Sequence, residues 1–302
     1  MPYAKLVEPG HKVKLSDYDP DDKGGTSRDD ADKEVAKFNA RIGELQEALY
    51  AGQHNSVLIV LQGIDTAGKD GTVSHVMAEL NPTACRVESF KAPTPVELAH
   101  DFLWRVHAVT PPKGTISIFN RSHYEDVLVA RVHELAPPDV IQQRYTHINN
   151  FESLLHDAGT IILKFFLYIS KEEQRDRLLA REKDKDKAWK LSASDWPEHE
   201  RYDAYTKAYE DALERCSTRH APWYVVPADH KWYRNLAIAE AIVSALEPYY
   251  VQWRHDLDKR GSENLAAIAK ANAGSRQLPV AGCRLPVAGC QKDGDSGAVR
   301  GD

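Results

Sequence analysis

The chain is poor in the features that mark secreted or membrane proteins. Its 302 residues include only four cysteines, Cys85, Cys216, Cys283 and Cys290, with no CxxC spacing and no disulfide framework. The longest apolar stretches fall well short of the roughly 18 residues a membrane span needs. The N-terminus, with Lys5, Glu8, Lys12 and Lys14, lacks the apolar run of a signal peptide. Positive charge is not in excess either. The net charge is -6 with 28% charged residues, so nothing points to nucleic acid, and any polyanion site must be a local patch. A soluble, cytoplasmic protein with neither a nucleic-acid nor a membrane partner is expected. Its 42% hydrophobic content suffices for one large domain or two small ones.

What is present is concentrated in one stretch. Val57-Leu58-Ile59-Val60-Leu61 reads as a buried parallel strand, and the Gly-rich turn Gln62 to Gly71 follows at once. From Gly63 across four residues to Gly68-Lys69, the spacing is that of a Walker A loop, and residues 72–80 continue with helical character. Strand, loop and helix in that order make a phosphate cradle. Backbone N–H groups of Gly63, Ala67, Gly68, Asp70 and Gly71 line it, the helix N-terminus adds positive potential, and Lys69 supplies an ammonium from the loop surface. Two positions depart from the pattern. Asp70 stands where a Ser or Thr normally binds Mg²⁺, and Asp65 puts a second carboxylate inside the loop. Beside a bare phosphate that charge is repulsive unless a metal ion or a guanidinium intervenes. A Gly-rich turn without a ligand is the plain alternative, and the spacing, the lysine and the preceding strand weigh against it.

Residues 1–30 are polar and irregular, an N-terminal extension. Apolar residues at three- and four-residue spacing predict a helix from about Arg28 to Tyr50. Strands are expected at 85–90, 115–120, 161–169 and 223–227, with helices through 98–106, 127–132, 140–155 and 232–250 between and after them. This alternation predicts an α/β fold with a doubly wound parallel sheet. A single P-loop domain then spans 31–258. Residues 171–216 break the alternation with a cation-rich segment followed by a long helical one, the place where P-loop kinases carry a helical lid. Arg177 and Arg181, at i and i+4, share one face that suits a polyanion, although a solvated, ion-paired helix would read similarly. Residues 259–302 are Ala-, Gly- and Ser-rich and are read as a disordered tail; Leu278 to Cys283 recurs as Leu285 to Cys290, without evident chemistry.

The strand at 115–120 ends in Asn120-Arg121-Ser122-His123-Tyr124-Glu125-Asp126. Its end should lie beside the Gly-rich loop at the carboxyl edge of the sheet, where open α/β folds bind ligands. The acidic residue expected there is replaced by Asn120, and Glu125-Asp126 follows one turn later. Asp65 and Asp126 are therefore candidate metal carboxylates, and Lys69 and Arg121 candidate phosphate cations, an inventory suited to phosphoryl transfer. Arg121 and Asp126 could instead pair structurally, and His123 reads as an ordinary core-edge residue.

These residues resemble the polyphosphate kinase 2 family. The resemblance rests on Gly63 to Gly71, Asn120 to Asp126, Trp189-Lys190-Leu191-Ser192, Ala221 to Asp229 and Lys231-Trp232-Tyr233-Arg234, and covers about residues 30–255. It implies a thymidylate-kinase-like P-loop fold with a helical lid, and transfer of phosphate between inorganic polyphosphate and nucleotides (AMP, ADP and ATP, or guanine nucleotides). It also implies Mg²⁺, or Mn²⁺ in its place, and a homo-oligomer, either dimer or tetramer. Carried over by position, Asp65, Lys69, Arg121 and Asp126 are the catalytic set, Asp65 and Asp126 hold the metal, and Arg177 and Arg181 fall in the lid. The Glu125-Asp126 pair resembles the class III subgroup, which accepts nucleoside mono- and diphosphates. An ATP-dependent nucleoside monophosphate kinase and a polyphosphate-binding module without turnover are the competing readings.

Overall fold

The computed structural model describes residues 2–275, apart from 185, 187, 188, 190 and 191. Six strands, β1 (Lys5–Val7), β2 (Ser56–Gln62), β3 (Cys85–Ser89), β4 (Ile116–Asn120), β5 (Thr160–Tyr168) and β6 (Trp223–Pro227), form one sheet in the order β1-β6-β5-β2-β4-β3. The five strands from β2 onward are parallel, with Leu58 opposite Ser117 of β4 and Ile162 of β5. β1 runs antiparallel to β6, with Leu6 opposite Tyr224. The reading of residues 1–30 as an irregular extension thus misses an edge strand, because three residues are too few for an alternation to register.

Side chains alternate across the sheet, as a strand period of two requires. Val57, Ile59 and Leu61 face the helices α1 (Arg28–Gly52) and α10 (Lys231–Ser275), packing with Ile42, Leu45, Leu49, Leu246 and Trp253. Leu58 and Val60 face the other way, toward Ile148 and Phe151 of α6 (Pro138–Asp157) and Leu213 of α9 (Tyr202–Cys216). Helices therefore cover both faces, which is why β2 is buried along its whole length.

The helix expected through 98–106 is broken into α3 (Pro95–Leu98) and α4 (Trp104–His107). A Thr94–Glu97 capping box starts the first, and the Asp101 carboxylate accepts from Leu103 N–H before the second. The lid region comprises α7 (Lys171–Lys183), α8 (Asp195–Glu200) and α9, so the long helical segment expected at the end of 171–216 is also divided.

The chain falls into two units, 1–259 and 260–302. The described part of the second is helical to Ser275, where the sequence reading expects disorder from 259. Its Ala-rich run, 264–273, has high helix propensity, a signal the compositional reading passes over. Residues 276–302, with the duplicated segment, lie outside the described residues. Among the described residues no helix is long and apolar enough to cross a membrane.

Candidate active site

The loop after β2 closes tightly and needs its glycines. A Cβ on Gly63 would stand 2.9 Å from both the Ala67 Cβ and the Leu167 carbonyl oxygen, and Gly68 has φ +95°. Gly68 caps α2 (Lys69–Val76), so Lys69 and Asp70 lie in that helix's first turn, at its positive end. Lys69 is not at the loop surface as expected: it is 8% exposed. Its Nζ donates to the carbonyls of Gly63 (2.6 Å) and Ile64 (3.2 Å). Burial, with Arg121 nearby, pushes its pKa down from 10.5 to about 8, against the pull of Asp65, Glu125 and Asp70.

Two further cations take the next carbonyls. Arg177 Nη1 donates to Thr66 O (2.9 Å), and Arg234 Nη1 to Ala67 O (3.4 Å). Lys69, Arg177 and Arg234 together engage the carbonyls of Gly63, Ile64, Thr66 and Ala67.

Asp70, in place of the usual loop hydroxyl, meets Asn120, in place of the usual acidic residue at the end of β4. Asn120 Nδ2 donates to Asp70 Oδ1 at 2.8 Å. A carboxylate on the loop and an amide on the neighbouring strand replace the usual hydroxyl on the loop and carboxylate on the strand. Arg121 follows at φ 62°, a conformation costly for a side-chain-bearing residue, and its N–H donates to Leu61 O at 3.0 Å. From there Nη2 reaches Asp65 Oδ1 at 2.6 Å and Nη1 reaches Glu125 Oε2 at 3.3 Å. Burial opposes the charge on Asp65, but Lys69, Arg121 and Arg181 outweigh it and hold the carboxyl below the usual range. Burial likewise opposes the charge on Arg121, and Glu125 and Asp65 outweigh it. Gly63, Asp65, Arg121 and Glu125 line one small cavity with Gln174, Glu198 and Tyr205 of the lid region.

Asp126 is placed apart from this cluster. Its carboxylate lies 3.7 Å from Arg105 Nη2 and 3.7 Å from Arg144 Nη1, and Arg144 also donates to its carbonyl at 2.8 Å. Burial raises its pKa despite the two arginines. Glu125, not Asp126, is thus the carboxylate that shares Arg121 with Asp65. Neither Arg105 nor Arg144 carries a sequence signal of this role, since both belong to ordinary helical stretches.

The two lid arginines also part company. Arg177 is spent on structure: Nε meets Glu173 Oε1 (2.7 Å), and Nη2 donates to the carbonyls of Ala228 (2.7 Å) and Asp229 (2.9 Å). The arginine expected to grip phosphate thus has its N–H groups engaged by the fold. Arg181, half-buried one turn on, keeps its charge near enough to depress Asp65. Gln174 on the same helix donates to Asp65 O at 3.3 Å.

Behind the turn 123–126 lies a fully buried charged network that the sequence reading does not anticipate. Lys164 Nζ donates to Glu152 Oε2 (2.6 Å), Tyr124 Oη (2.8 Å) and Cys216 O (2.6 Å); Tyr124 Oη donates to Glu152 Oε1 (2.9 Å), and His123 Nε2 lies 3.3 Å from it. His123 is therefore a core residue in an ionic network. A lysine in the middle of Ile161 to Leu167 is the one visible hint.

For a divalent cation, the donor set is hard oxygen: Asp65, Glu125 and Asp126, the last with a buried Oδ2 that has no hydrogen-bond partner among the described residues. Among the described residues no three His, Cys, Asp or Glu gather into a self-sufficient metal site. That combination fits Mg²⁺, which takes one or two carboxylates and completes its shell with water and substrate phosphate.

Comparison with known proteins matches the chain to one family. A family model described as polyphosphate kinase 2 covers residues 25–254. An AMP/ADP-polyphosphate phosphotransferase of Meiothermus ruber is 48% identical over 82% of this chain and 93% of its own length. An ADP-polyphosphate phosphotransferase of Rhodopseudomonas palustris is 42% identical over 74% and 82%. The crystal structure of a polyphosphate kinase 2 from Arthrobacter aurescens superposes with TM-score 0.77 at 41% identity, covering 81% of this chain and 91% of that one.

Proposed function

This chain belongs to the polyphosphate kinase 2 family and is a polyphosphate-dependent nucleotide kinase; we propose that it transfers the terminal phosphoryl group of inorganic polyphosphate, reversibly, to both AMP and ADP. The observation that carries this reading is Arg121 bridging Asp65 and Glu125 beside the Lys69 loop. The transfer breaks one phosphoanhydride P–O bond and forms another to an oxygen of the acceptor's terminal phosphate. It asks of the protein positioning and charge neutralisation rather than a covalent intermediate.

Lys69 exchanges its loop carbonyls for phosphoryl oxygens, which relieves the cost of a buried ammonium hydrogen-bonded only to neutral groups. Arg121 exchanges a carboxylate for a phosphoryl oxygen in the same way, and Arg181 adds positive potential from α7. Mg²⁺, or Mn²⁺, held by Asp65 with Asp126 as second carboxylate, would supply the remaining charge neutralisation on the phosphates. Both carboxylates first have to leave their arginines, and a polyanion competing for those guanidinium groups provides the means.

The acceptor range follows from the Glu125-Asp126 pair, by resemblance to the subgroup that takes mono- and diphosphates. Guanine nucleotides as alternative acceptors, a cytoplasmic location and a homo-oligomeric state (dimer or tetramer) complete the proposal. The test is purified protein with AMP, Mg²⁺ and polyphosphate as sole donor, with products resolved over time. ADP followed by ATP is expected. No product at any chain length, with ATP serving as donor instead, would establish the alternative nucleoside monophosphate kinase.

A further inference from the structure

Arg234, in the first turn of α10, is 3% exposed. Its guanidinium donates from Nε and Nη2 to Asn235 Oδ1 (3.2 and 2.8 Å) and from Nη1 to Ala67 O (3.4 Å), all neutral acceptors. Among the described residues no carboxylate lies within 4 Å of it. It stands directly against the phosphate loop: a Cβ on Gly68 would collide with Nη1, and one on Gly71 would be 3.6 Å from Nη2. A buried charge without a counter-charge is expensive, and buried cations are as a rule paired. Two other largely buried cations are paired, Arg177 with Glu173 and Lys164 with Glu152; among the described residues Lys69, in the loop itself, shares with Arg234 the lack of a paired carboxylate. Burial, and then Arg177, lower the pKa of Arg234 to about 10, which leaves it charged at neutral pH.

We infer that Arg234 is a positioning residue for phosphate capture, a buried cation behind Gly68 whose counter-charge is the phosphoryl group bound in the loop. It acts through the loop in two ways. Its hydrogen bond holds the Ala67 carbonyl away from the cradle, and its charge adds to the potential at the N-terminus of α2, where the phosphoryl oxygens lie. The inference rests on the reading of this loop as the phosphoryl site.

The test is binding of inorganic tripolyphosphate and of polyphosphate to the full chain and to Arg234→Met, Arg234→Gln and Arg234→Lys, beside the melting temperature without ligand. Arg234→Met and Arg234→Gln are expected to weaken binding tenfold or more and to flatten its salt dependence. Their unliganded melting temperatures are expected to equal or exceed that of the parent, since an uncompensated buried charge has gone. Arg234→Lys, which keeps the charge, should recover most of the affinity. Binding within twofold of the parent in Arg234→Gln, or affinity lost equally in Arg234→Lys, would overturn the inference and leave Arg234 a packing residue. Should Arg234→Met fail to fold, the Gln and Lys pair decides alone. Binding by the parent protein reports separately on the loop itself, so failure of that reading is distinguishable from failure of this one.

Discussion

Lys69 carries the clearest consequence at the scale of single residues. Its drop from 10.5 to about 8 corresponds to roughly 3 kcal/mol by which the unliganded protein disfavours its charge. A bound phosphate favours the charged form and raises the pKa again. Below pH 8 the ammonium is already present and binding is indifferent to this group. Above pH 8 binding must take up a proton, so affinity should fall about tenfold per pH unit. Polyphosphate titrations between pH 7 and 9.5 are expected to show that decline, and Lys69→Met, inactive but folded, should lose it. A flat profile in the parent would remove Lys69 from phosphate contact. The loop, its lysine and its two anomalous aspartates are legible in the sequence because the chemistry lies within nine consecutive residues. The partner of Asp70, Asn120, lies fifty positions away, and no local pattern shows that these two departures from the usual Walker arrangement meet each other.

Among the elements, α7 separates two arginines that share a face. Arg177 Nη atoms satisfy three carbonyls, of Thr66, Ala228 and Asp229, and so tie α7 to the loop and to the end of β6. Each buried carbonyl left bare costs about 1–3 kcal/mol. Arg177→Ala should therefore lower the melting temperature by many degrees, whereas Arg181→Ala should leave it unchanged while raising KM for polyphosphate and weakening its salt dependence. The reverse pattern, measured by thermal denaturation beside kinetics, would contradict this division. Periodicity tells that 177 and 181 face the same way; it does not tell what stands opposite each. Four of the five parallel strands are legible because their runs of branched and aromatic residues bury on both faces, and β3, at the edge, is legible from its place between turn residues and the next helix. β1 and the split of α3 from α4 are not, since each depends on tertiary pairing or on one turn of capping. The Glu152–Lys164 network is hidden for the same reason, its members coming from α6 and β5 and meeting only in the folded core.

For the molecule as a whole, the site is a local concentration of positive charge in a chain of net charge -6. Every residue assigned to it lies in the unit 1–259. Residues 258–272 are exposed throughout, and none of the residues assigned to the site is among them. Ending the chain after Lys259 should leave kcat, KM and melting temperature as they were. A truncated protein that is inactive would show that the final segment completes the site.

The central claim is that Asp65 serves the phosphates through a cation and not by direct contact. Two like charges about 4 Å apart cost roughly 4 kcal/mol at a surface-like dielectric, so a bare Asp65 repels the substrate that it helps to process. The direct measurement is a pair of polyphosphate titrations of Asp65→Asn and the parent, with and without Mg²⁺, beside turnover. The variant should lose turnover by about 10² or more. Without Mg²⁺ it should bind polyphosphate at least as tightly as the parent, because a repulsive charge has gone and Arg121 is released. An Asp65→Asn protein that stays active, or that binds polyphosphate more weakly when no metal is present, would contradict the account.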